Sequence, residues 1–198
     1  MNKKSLSLLL ISVSLTLTGC FNSDGGGEGA LPGPDANANQ TGTYQSNQFT
    51  FTFPATWDVI EPKDFTSDIP GETQVVVRNN IKNDTFTANI NIVKNSLQTG
   101  KSSLDYAKEI LNRQRTGLLD YKETKREILN VSVGGQSQET YYTEFEARLN
   151  ATDPVLKFVQ TYAVRDNSGY IIMGAWSQQE NSAVIDKVIA SVKSFRVN

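Results

Sequence analysis

Histidine is absent from this 198-residue sequence. That removes the commonest general base, the commonest transition-metal ligand and the Ser-His and Cys-His nucleophile pairs. A hydrolase would have to use a Ser-Lys dyad or two carboxylates, and no spacing announces either. Cysteine occurs once, at Cys20, so no disulfide can form within the chain and the fold must stand on its core. Long apolar runs are missing too. The longest, residues 6–17, falls short of the roughly 20 residues that cross a bilayer. Excess basic charge is also missing: the formal net charge is −2, and no basic patch stands out, so nucleic acid is not an expected partner.

What is present begins with the leader. Lys3 and Lys4 precede the apolar stretch 6–17, which has the length of a signal-peptide h-region. The sequence "LTGC" that closes it, Leu17 to Cys20, resembles a bacterial lipobox. The resemblance implies that residues 1–19 are removed, that the Cys20 thiol takes a diacylglycerol, and that the lipidated cysteine becomes the mature N-terminus. At least two acyl chains on one residue give stable anchoring where a single chain is marginal. With Phe21 rather than Asp after the cysteine, it also implies the outer membrane in an organism that has one.

Residues 20–47 read as a flexible tether, rich in Gly, Asn, Ser, Thr and Pro, with almost nothing to bury. Its reach scales to roughly 30 Å. The folded domain is placed at 48–198. "QFTFTF" alternates Phe49, Phe51 and Phe53 with Thr50 and Thr52, the period of a half-buried strand that ends at Pro54. Residues 73–79 and 86–93 form a second and third strand, the latter with Phe86, Ala88, Ile90 and Ile92 on a core face and Thr87, Asn89 and Asn91 on a polar one. A helix follows from an N-cap at Ser102 or Ser103 to Gly117, with Leu104, Ala107, Ile110 and Leu111 at helical spacing. Strands resume at 121–133; Gly134-Gly135 is a hairpin signal, and 141–149, 156–165 and 170–177 complete a meander. A last helix, 181–194, carries the stripe Val184, Ile185, Val188, Ile189, Val192.

This order is α+β, with helices docked on an antiparallel sheet. On "FTFPATW" (51–57), "VGGQSQETYYTEF" (133–145) and "VIASVKSF" (188–195) the chain resembles the PsbP-like superfamily, DcrB-like bacterial lipoproteins included. The resemblance spans essentially the whole of 48–198. It implies an α/β/α sandwich with a central antiparallel sheet and non-catalytic binding to protein partners. It carries no site over, because the metal-binding histidines of photosystem relatives have no counterpart.

The single residues divide as follows. Trp57 and Trp176 are expected in the core, with ligand stacking as the alternative. Tyr141 and Tyr142 point to opposite faces, so at most one lines a pocket. The row Thr87, Asn89, Asn91 reads as a solvated sheet face. Lys122, Glu123, Lys125, Arg126 and Glu127 are mixed in sign and solubilise a strand or loop. Asp64, Asp68, Glu72 and Asp84 could offer oxygen ligands to calcium but lack the spacing and glycine of a calcium loop, so no metal is expected. Neither Gly25 to Gly27 nor Gly134-Gly135 precedes a helix, so neither is a phosphate cradle.

The expectation is therefore a lipid-anchored, extracytoplasmic module of the cell envelope, without cofactor or catalysis, that binds an envelope protein complex. The alternative is a carrier of a small ligand or lipid, which needs a cavity between sheet and helix.

Overall fold

The computed structural model describes residues 40–65, 69–83 and 85–198. The leader, Cys20 and most of the expected tether lie outside the described residues. In chain order the described residues form strands β1 (Thr41–Gln45), β2 (Phe49–Pro54) and β3 (Asp58–Ile60), a 3-10 turn (Pro62–Asp64), then β4 (Thr73–Arg78) and β5 (Asn89–Ser96). Helix α1 (Ser103–Gly117) leads to β6 (Leu119–Val133), β7 (Gln136–Arg148), β8 (Leu156–Arg165) and β9 (Ser168–Ser177), and α2 (Ser182–Lys193) leads to β10 (Arg196–Val197). The class is α+β.

Two expectations are corrected here. The folded part begins before residue 48: Thr41–Gln45, read as tether, pair antiparallel with β2 as the edge strand. Thr41, Thr43 and Tyr44 favour extended backbone, and Gly42, the weak point, lies under the Phe53 ring of its cross-strand neighbour. Nor is the sheet purely antiparallel. Its order is β1-β2-β10-β6-β7-β8-β9-β5-β4-β3, and β10 runs parallel to β6 while antiparallel to β2. A two-residue strand after a helix leaves no periodic signal. Beyond its end, Ser194 continues the ladder with a side chain, its Oγ accepting the Thr52 N–H at 2.8 Å.

The sheet curls. Phe49 on β2 and Tyr170 on β9 have four strands between them in the sheet order, yet their ring centroids lie 6.3 Å from one another. Right-handed twist accumulated across neighbouring strands brings them together. The concave side holds the main core: Phe49, Phe51, Ile90, Ile92, Val159 and Ile172 close over Val188, Val192 and Phe195 from α2 and its exit. The opposite side carries α1, whose Tyr106, Ala107, Ile110 and Leu111 pack on Tyr162, Val164 and Ile171. The odd-even alternation of β8 and β9 thus feeds two helices on opposite faces.

Local chemistry sets the ends. Ser102 caps α1 by accepting the Asp105 N–H, and Asn181 caps α2 by accepting that of Ala183. Gly134 (φ 57°) and Gly135 (φ 78°) make the β6–β7 turn in the left-handed conformation that the hairpin needs. On β9, Gly174 lets α2 approach: a Cβ there would stand 2.1 Å from Val188 Cγ1.

Candidate functional site

Beside α2 on the concave side a groove of about 300 Å³ stays open. Register builds one wall: Glu146 on β7 stands opposite Lys157 on β8, and Lys157 opposite Trp176 on β9, so the three form a row across the sheet. Glu144 lies two residues along β7 and shares that face. Ile185 and Ile189, one turn apart on α2, supply the other wall. Trp176 is 4% exposed, and its indole N–H has no hydrogen-bond partner among the described residues.

A charged cluster borders the groove. The Tyr142 hydroxyl donates to Glu144 Oε1 at 2.8 Å. Lys125 and Lys193 lie 5.2 and 4.5 Å from the Tyr142 ring centroid, and both pair with Glu127, at 3.0 and 3.6 Å. Burial, then the bond to Glu144, pushes the Tyr142 phenol up, so it stays protonated and keeps donating. The Glu127 carboxyl is held low, first by its hydrogen bond from Lys125. The lining therefore offers recognition: apolar walls, two carboxylates and one ammonium.

A shallower hollow of about 620 Å³ lies where α1 begins, bounded by Ser102, Ser103, Gln138, Glu139 and Asp166. There β7 and β8 part, since their ladder covers only Tyr142 to Ala147 against Leu156 to Thr161. Ser103 fills the gap: its Oγ accepts the Val164 N–H at 2.8 Å and donates to Gln138 Oε1 at 2.7 Å.

Comparison with solved structures gives two informative likenesses. CyanoP, the cyanobacterial PsbP of Synechocystis, superposes with a TM-score of 0.52 at 15% identity, over 86% of this chain and 99% of its own. The fold is PsbP-like. LpqN of Mycobacterium tuberculosis, a protein involved in cell envelope biogenesis, has a TM-score of 0.50 at 8% identity, over 80% of this chain and 91% of its own. No protein-family model and no curated protein sequence matches the chain.

In this PsbP-like domain the residues singled out in the sequence fall into distinct places. Trp57 is buried in the concave core, and Trp176 is both core and groove wall. Tyr142 borders the groove, while Tyr141 lies on the α1 side under the Arg126 guanidinium, 5.1 Å from its ring centroid. Glu123, Lys125, Arg126 and Glu127 form ion pairs on β6. Asp64 and Glu72 are exposed; Asp68 and Asp84 lie outside the described residues, as does Cys20. No group of three potential metal-ligating His, Cys, Asp or Glu occurs among the described residues.

One expectation fails. Asn89 and Asn91 are buried, not solvated. Asn91 stands opposite Met173, which stands opposite Gln160, which stands opposite Thr143, so a polar row crosses the sheet on the α1 side. Gln160 Oε1 accepts from the Tyr162 hydroxyl (2.7 Å) and from Gln114 Nε2 (3.0 Å), tying the last turns of α1 to the sheet. Sequence reasoning missed this because alternation marks which residues share a strand face and does not tell what packs on it. It also missed Glu144, Glu146 and Lys157 as groove residues. Alternation assigns their face, but only the docking of α2 makes that face a groove.

Proposed function

We propose that the chain is a membrane-anchored, extracytoplasmic lipoprotein that serves as a non-catalytic binding or accessory module for an envelope protein complex. The observation that carries this reading is a PsbP-like domain, shared with a protein of cell envelope biogenesis, following a lipobox-like "LTGC". In it Cys20 carries the lipid, a short tether spaces the domain from the surface, and the sandwich offers its loops and groove to protein. Crosslinking in intact cells tests it, with wild type and Cys20→Ser extracted in detergent and analysed by mass spectrometry. The expected result is one envelope protein recovered reproducibly with the wild type and lost or reduced with Cys20→Ser. Recovery of no protein from either form would overturn it.

A second reading, a small-ligand or lipid carrier, is favoured by the groove between α2 and the sheet. Its volume sits at the low end of ligand pockets. Native mass spectrometry of the protein drawn from cells separates the two readings: a small molecule retained by wild type and lost on Ile189→Glu supports the carrier.

A further inference from the structure

The two outer strands and the open side of β6 are three places where the sheet offers unpaired backbone, and they are guarded unequally. Strand β3 has three residues, with Asp58 at its head and Pro62 just beyond. Strand β6 pairs with β10 only at Ser132 and Val133. The rest of that side carries Lys122, Glu123, Lys125, Arg126 and Glu127, together with two register shifts against β7. Short length, charge and bulges are how sheets keep foreign strands away. Strand β1 has none of these. Residues 40–49 contain no charge and no proline, and the β1–β2 register runs without a shift.

The backbone groups that β1 leaves free follow from its ladder. Ser46 N–H donates to Phe49 O at 3.0 Å, and Ala55 N–H to Gln40 O at 2.9 Å. In an antiparallel pair the hydrogen-bonded positions alternate. Residues 40, 42, 44 and 46 therefore turn their amides to β2, while Thr41, Thr43 and Gln45 turn theirs outward. Thr52 agrees from the other side of the hairpin: it stands opposite Thr43 and sends its N–H away from β1, to Ser194. None of the three outward residues has a backbone hydrogen-bond partner among the described residues.

We infer that the β1 edge pairs antiparallel with the β1 edge of a second copy, about a two-fold axis at Thr43. This goes beyond the accessory-module reading and does not depend on the lipid anchor. A two-fold at Thr43 sets Thr43 against its own copy and Thr41 against the partner's Gln45. Each is then a hydrogen-bonded pair, and all six free N–H and C=O groups are used. A two-fold at Gly42 pairs Thr41 with the partner's Thr43, and one at Tyr44 pairs Thr43 with the partner's Gln45, so either register uses only four of the six groups. The side chains agree with the register: Thr opposite Thr is a favourable cross-strand pair, and no like charges meet. The contact is small, so the dimer is weak and forms where copies are concentrated.

The test uses the full chain with Cys20→Ser, which leaves no native thiol. Single Thr41→Cys, Thr43→Cys and Gln45→Cys substitutions are then oxidised with copper-phenanthroline across a concentration series. Opposed Cα atoms in a hydrogen-bonded pair stand about 5.5 Å apart, within disulfide range. Thr43→Cys should form a homodimer, while Thr41→Cys and Gln45→Cys should crosslink only when mixed with each other. Ile81→Cys, at an exposed side chain away from β1, serves as the collisional control. Thr43→Lys, whose side chain points outward, should abolish concentration-dependent dimerisation in sedimentation without shifting the melting temperature. Equal crosslinking of all variants, a monomer at every concentration, or capture of a different protein at Thr43 would each overturn the inference.

Discussion

At the scale of single residues, the domain depends on positions where a side chain is missing. Gly174 faces α2 at the point where Val188 is fully buried, and an added Cβ would meet Val188 Cγ1 at 2.1 Å. Valine has few alternative rotamers in a helix, so the neighbour cannot swing away and the helix must shift. Gly174→Ala should destabilise the domain by about 1–3 kcal/mol, as overpacked cores do. Combining it with Val188→Ala should recover part of that loss, because the two positions are in contact. Urea denaturation of the two single variants and the double variant checks this. Additive losses would show that α2 does not bear on Gly174.

At the scale of elements, most of the architecture was legible where periodicity is strong. The Phe-Thr alternation of β2, the glycine pair between β6 and β7, and the capped amphipathic helices all form near the expected residues. What was not legible depends on partners distant in sequence. Strand β1 looks like linker because Thr, Gly and Gln suit either state, and only Phe51 and Phe53 across the ladder, with Phe49 stacked on Tyr44, make it fold. Strand β10 exists because α2 delivers it between β2 and β6. Asn89 and Asn91 were misplaced for a related reason. Alternation tells which residues share a face, but whether that face meets water is decided by what distant parts of the chain pack on it. The same holds for the groove: Trp176 and the α2 stripe were legible as apolar, and their juxtaposition with Glu144, Glu146 and Lys157 was not.

At the scale of the whole molecule, the interior is rich in tyrosine hydroxyls that must stay protonated. Burial pushes the Tyr106 and Tyr121 phenols up to about 12, and it drives Tyr142 and Tyr162 upward as well. In the unfolded chain each titrates near pH 10. A group whose folded pKa is raised contributes stability that is complete below the unfolded value and is lost as pH rises through the folded one. Stability should therefore hold up to about pH 10 and fall between about 10 and 12, with phenolate absorbance from these residues appearing together with unfolding. Their ionisation near pH 10 in a still-folded protein would contradict the burial described. The anchored-module account rests on Cys20, and membrane fractionation tests it most directly. Wild type should sediment with membranes, while Cys20→Ser should appear in the soluble extracytoplasmic fraction with an unchanged melting temperature. A Cys20→Ser protein that stays folded in the membrane pellet would contradict the account.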